Sequence, residues 1–161
     1  APDEEWLPFR TFSSLPSIDW DSPHVRLVDL DGDGRPDVLV TADEALSWYA
    51  SLGEDGYAQA RRLPWASGDK EGPRVVFAES FQTIFLADMS GDGLSDLVRI
   101  RNGDICYWPN LGFGRFGARV QMAAAPVFAP GDAFDPARLR LADVDGSGTT
   151  DLVYLGGDVT T

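Results

Sequence analysis

The sequence holds a single cysteine, Cys106, and a single histidine, His24, among 161 residues. One cysteine excludes an internal disulfide framework and any cysteine-based zinc cluster. With one histidine, no spacing assembles a nucleophile, a base and an orienting acid. Positive charge is scarce as well: 13 Lys and Arg stand against 26 Asp and Glu, for a net charge of −13. Nucleic acid and anionic membranes recruit basic patches, so neither suits this chain as a partner. No apolar run approaches the roughly 18 residues of a membrane span, and the N-terminus lacks the basic-then-apolar pattern of a signal peptide. The chain opens at Ala1 without a methionine, which reads as an excised or processed piece. Apolar residues at helical spacing are also missing.

What is present is a globular composition, 43 % hydrophobic and 11 % aromatic, enough for one domain over residues 1–161 with a sizeable core. Ten of the 26 acidic residues fall in three loops of one design. The first runs from Asp29 through Asp31, Gly32, Asp33, Gly34 and Arg35 to Asp37. The second runs from Asp88 through Ser90, Gly91, Asp92, Gly93 and Leu94 to Asp96. The third runs from Asp143 through Asp145, Gly146, Ser147, Gly148 and Thr149 to Asp151. Their starts lie 59 and then 55 residues apart, a period that marks propellers, solenoids or arrays.

Acidic side chains at positions 1, 3, 5 and 9 of a nine-residue loop, with glycines to fold it tightly, describe a cage of hard oxygen ligands, for which Ca2+ is the natural occupant. An EF-hand needs a glutamate at position 12 and flanking helices. Position 12 here is Val40, Arg99 or Tyr154, and the flanks look like strands. The expected ligands are therefore Asp29, Asp31, Asp33 and Asp37; Asp88, Ser90, Asp92 and Asp96; and Asp143, Asp145, Ser147 and Asp151. The carbonyls of Arg35, Leu94 and Thr149 at position 7 complete the sets. Carboxylate count ranks the first loop above the other two. Without a cation, close carboxylates repel by several kcal/mol per pair at an effective dielectric of about 20. The competing reading is a metal-free Asx and glycine turn that only shapes a hairpin.

Alternating segments precede each loop, Val25–Val28, Ile84–Ala87 and Leu139–Ala142, and apolar runs follow, Val38–Val40, Leu97–Ile100 and Leu152–Leu155. Each loop then joins two strands of a hairpin. A further strand follows in two copies, Leu46–Tyr49 and Ile105–Trp108, and a short strand heads each unit at Phe9–Pro16, Tyr57–Pro64 and Phe116–Met122. Four short strands and no helix make a propeller blade. The units run approximately 8–56, 57–115 and 116–161, the last truncated. The fold class is all-β: a β-propeller fragment of about three four-stranded antiparallel blades, an arc rather than a ring.

The remaining chemistry reads as structure. His24 is expected to face solvent in a linker, and Cys106 to be a small packed residue. Gly112, Gly114 and Gly117 satisfy G-x-G-x-x-G but join two strands, so they serve a turn and not a dinucleotide. A catalytic carboxylate pair, as in glycoside hydrolysis, should break the repeat; these acids obey it. The pairs Trp48–Tyr49 and Tyr107–Trp108 recur in register, which favours packing between blades over sugar stacking.

The loop-and-strand unit resembles FG-GAP/VCBS repeats. Phrases such as Pro16-Ser17-Ile18-Asp19-Trp20, Trp48-Tyr49-Ala50-Ser51-Leu52-Gly53 and Arg99-Ile100-Arg101-Asn102-Gly103-Asp104-Ile105-Cys106-Tyr107-Trp108-Pro109-Asn110 further resemble the propeller of insecticidal toxin-complex (Tc) B components and SpvB-type virulence proteins. That resemblance implies a secreted, extracellular, non-catalytic module. It would dock on and gate a translocation channel, with other toxin-complex subunits and the rest of the propeller as protein partners. Two such arcs would close a ring as a homodimer. The alternative is a calcium-dependent adhesin or lectin module of the integrin-like FG-GAP type.

Overall fold

The computed structural model describes residues 8–42, 45–68, 71–77, 83–130 and 133–156. Among the described residues it shows ten strands and the single-turn 3-10 helices Gly53–Asp55 and Pro136–Arg138. The first sheet holds β1 (Val25–Val28), β2 (Asp37–Thr41), β3 (Ala45–Tyr49) and β4 (Arg61–Pro64) in that order. The second holds β5 (Thr83–Ala87), β6 (Asp96–Arg101), β7 (Asp104–Trp108) and β8 (Val120–Gln121), again in order. The third pairs β9 (Leu139–Ala142) with β10 (Asp151–Tyr154). All neighbours are antiparallel. These are the blades of a propeller segment, two of them four-stranded.

Register shows that the repeat is structural. Val28 faces Asp37, Ala87 faces Asp96 and Ala142 faces Asp151, so the residue before each acidic loop always opposes its ninth position. A slip of one residue would turn every apolar side chain to the wrong face, so the loop and the apolar alternation fix one another.

The sheets stack through alternate side chains of the second one. Leu97, Cys106 and Trp108 join Leu30, Leu39, Leu46 and Trp48 in a core against the first sheet. Val98, Ile100, Ile105 and Tyr107 turn the other way, to Leu139, Leu141, Leu152 and Tyr154 of the third. Tyr107 and Trp108 therefore serve opposite blade interfaces, as the period of two requires. Cys106 is fully buried.

The strands expected at the heads of the units need correction. Residues 9–16 form no strand; Ser14 alone bridges to Gly56, and Phe9 is 96 % exposed. The head of the second unit contributes only β4, and β4 pairs with β3 of the first sheet; β8 likewise finishes the second. A head segment thus needs the third strand of the sheet before its own, and among the described residues none precedes the first sheet. His24 also departs from expectation. It is half-buried at the entrance to β1, its carbonyl accepting the Thr41 N–H.

The Gly112–Gly117 stretch is a turn, closed by the Leu111 N–H to Arg115 carbonyl bond. Gly114 lies at φ 72°, and a Cβ there would stand 2.6 Å from Leu63 Cδ1 and 3.1 Å from the Trp48 ring. Gly114→Ala is expected to cost about 1–3 kcal/mol, from the left-handed backbone and the overpacked contact together. Urea unfolding measures it, and a loss within about 0.5 kcal/mol would show that the two blades do not press on this turn.

Candidate metal centre

Each acidic loop is folded by its own aspartates. Asp29 takes the N–H of Gly32 at 2.7 Å on Oδ1 and that of Gly34 at 2.8 Å on Oδ2. Asp88 does the same for Gly91 and Gly93, and Asp143 for Gly146 and Gly148. The glycines at positions 4 and 6 carry φ of 74–88° in all three loops, the left-handed conformation that aims their N–H groups at the first carboxylate.

Position 9 anchors the hairpin from beneath. Asp37, 1 % exposed, accepts from Leu30 N at 3.2 Å, Trp48 Nε1 at 2.8 Å and Ser51 N at 2.7 Å. Asp96, fully buried, accepts from Met89 N, Ser90 N and Asn110 N at 2.8–3.0 Å. Asp151, half-buried, takes Val144 N at 3.0 Å. Burial pushes the carboxyls of Asp37 and Asp96 above the usual range, although hydrogen bonds pull the other way. Asp145 is exposed and held below that range by its bonds from Ser147.

The carboxylates converge unevenly. Asp29, Asp31 and Asp37 each bring an oxygen within 4.8 Å of the others, and so do Asp143, Asp145 and Asp151. Oxygens around a calcium ion at about 2.4 Å lie no more than about 4.8 Å apart, so positions 1, 3 and 9 fit one hard cation. Asp33 is outside the group. Its Oδ1 accepts the Arg35 N–H at 2.8 Å and its Oδ2 stands 3.7 Å from Arg35 Nη1. Of the second loop's acids, Asp88, Asp92 and Asp96 form no such trio among the described residues, because Ser90 holds position 3. Serine at position 5 of the third loop, Ser147, disturbs nothing in this geometry; it bonds Thr149 Oγ1 at 3.0 Å.

Proton linkage follows from the buried pair. A carboxyl whose folded pKa is raised holds a proton that the unfolded chain has released, so its contribution to stability falls as pH rises from 3.8 through the raised value. In chelator the melting midpoint is therefore expected to fall as pH rises from about 4 toward neutrality, with the self-repulsion of 26 acids acting in the same direction. In excess calcium, protons compete for the ligands and the trend should flatten or reverse. A midpoint that climbs steadily to about pH 8 in chelator would contradict this.

Residues 24–59, from the entrance of β1 past the first loop and β3, match the FG-GAP repeat. The solved structure of TcdB2-TccC3 without its hypervariable C-terminal region superposes on this chain with a TM-score of 0.61 and 25 % identity over 83 % of its length. That of TcdB2-TccC3 does so with a TM-score of 0.60 and 25 % identity over 81 %. The chain spans 6 % of the length of each of those chains. No curated protein matches the chain. The resemblance to the propeller of toxin-complex B components therefore holds. Sequence reasoning missed Ser51 and Asn110, which brace the ninth position of the first and second loops. Their equivalence at the 59-residue lag was the available signal.

Proposed function

We propose that this chain is part of the propeller of a secreted toxin-complex B component, a non-catalytic scaffold that docks on and gates a translocation channel. The superposition on TcdB2-TccC3 over 83 % of the chain carries this reading. Calcium at the first and third loops is part of the proposal, since Asp29, Asp31 and Asp37 and their counterparts Asp143, Asp145 and Asp151 present the hard donor set it requires. The ion would supply positive charge to carboxylates that the fold draws together, and so stiffen the hairpins. Partners are the rest of the propeller and the other toxin-complex subunits, outside the cell.

Interferometry against an immobilised channel-forming component tests docking, with a glycan array beside it. Saturable binding to the channel component and silence on the array are the expected results. Selective, calcium-dependent binding of a sugar would move the protein to the lectin class. Light scattering at high concentration tests whether two arcs close a ring: a dimer supports closure by a second copy, and a monomer leaves it to other segments of the propeller.

A further inference from the structure

The hydrogen bonds that hold the first acidic loop continue into the second sheet. Leu30, at position 2 and fully buried, donates its N–H to Asp37 at 3.2 Å, and its carbonyl accepts from Asn110 Nδ2 at 3.1 Å. Asn110 is 1 % exposed; its N–H donates to Asp96 Oδ1 at 2.8 Å, and its Oδ1 accepts the Gly112 N–H at 2.9 Å. The amide oxygen faces a donor and the amide nitrogen an acceptor, which fixes its orientation. Asp37, Leu30, Asn110 and Asp96 thus form one buried chain from the ninth position of one loop to the ninth of the next. Low dielectric strengthens each link and lets it polarise its neighbours. A steric contact runs alongside, for a Cβ on Gly32 would lie 2.9 Å from Leu94 Cδ2 of the second loop.

The repeat contains its own control. Ser51 occupies the place of Asn110 in the first sheet, its N–H on Asp37 Oδ1 at 2.7 Å and its Oγ accepting from Gly53 N at 3.3 Å. Serine performs both local tasks. What asparagine adds is Nδ2, the group that reaches across to Leu30.

We propose that Asn110 is a positioning residue that couples the first two acidic loops, so that a divalent cation held by Asp29, Asp31 and Asp37 orders the second loop along with its own. Fixing Asp37 on an ion fixes the Leu30 peptide bonded to it. The Leu30 carbonyl then holds the Asn110 amide, on whose backbone Asp96 rests. The second loop, lacking a converged carboxylate trio, gains its order at second hand. This coupling rests on the calcium reading of the first loop.

Hydrogen exchange of the whole chain, in excess calcium and in excess chelator, reads each loop by its own amides. In the wild type, calcium is expected to slow exchange on the order of tenfold in the first loop and by several-fold at Gly91–Leu94 in the second. Asn110→Ser keeps the two local bonds and removes the crossing one. It should retain protection of the first loop while the second exchanges as in chelator. Asp31→Asn, at a partly exposed loop position, removes a charge from the ligand set without touching the core and should lose protection in both loops. Protection of the second loop that survives in Asn110→Ser overturns the route through Asn110. Protection there that survives in Asp31→Asn while the first loop loses its own shows that the second loop binds its own ion, and overturns the coupling. If calcium protects neither loop of the wild type, the calcium reading fails and takes the coupling with it.

Discussion

Asp37→Ala is expected to lower stability by about 3 kcal/mol, enough to remove a large share of a typical domain's margin. The carboxylate sits at 1 % exposure and accepts three N–H groups, from Leu30, Trp48 and Ser51. Truncation leaves those donors without an acceptor in a space that water does not enter, at about 1–3 kcal/mol each. Removing a buried charge returns part of that, which brings the expected loss to the bottom of the summed range. Asp37→Asn should fall between, because one end of an amide is a donor and meets donors. Asp33→Ala is the control: partly exposed, paired only with Arg35, it should change stability by no more than about 0.5 kcal/mol. Urea unfolding in chelator separates this anchoring from any metal effect. A loss under about 1 kcal/mol for Asp37→Ala would mean that the ninth position is a ligand and little else.

The second large effect is calcium itself. Ligand linkage gives about 2.7 kcal/mol per independent site at a hundredfold excess over the dissociation constant. For a chain of this size that corresponds to a rise in Tm of roughly 5–10 °C per site. Asp31→Asn and Asp145→Asn should each remove much of the gain from one loop. Ser90→Asp should add to it, by completing positions 1, 3 and 9 in the loop that lacks position 3. Scanning calorimetry with and without chelator checks all four proteins. Identical midpoints in the wild type would leave the loops as metal-free turns, folded by the Asp29, Asp88 and Asp143 bonds alone.

The hairpins were legible in the sequence because two local signals agree there. Val25–Val28 and Leu139–Ala142 have the bounds that alternation indicates, and the glycine pattern fixes the turn between strands. Phe9–Pro16 was misread for a nonlocal reason. Its composition matches β4, but a strand exists only where a neighbour accepts its backbone bonds, and among the described residues no sheet offers this segment one. The site was legible by residue type and not by direction. Counting acids makes Asp33 equal to Asp31, yet Asp33 turns to Arg35 while Asp31 turns to the common point. Counting also ranks the third loop with the second. Geometry places it with the first, because serine at position 5 stands outside the converging group and serine at position 3 stands within it.

The pairing of β4 with β3 bears on how such chains are spliced by recombination. A crossover at residue 56 or 57, where the sequence motif restarts, would graft a foreign edge onto an existing sheet and leave its inherited edge on the wrong parent. A crossover after Pro64, inside the connection that follows β4, would transfer whole sheets with their hydrogen-bond ladders intact. Shuffled descendants that fold should therefore have junctions displaced by several residues from the motif boundary, toward the C-terminus.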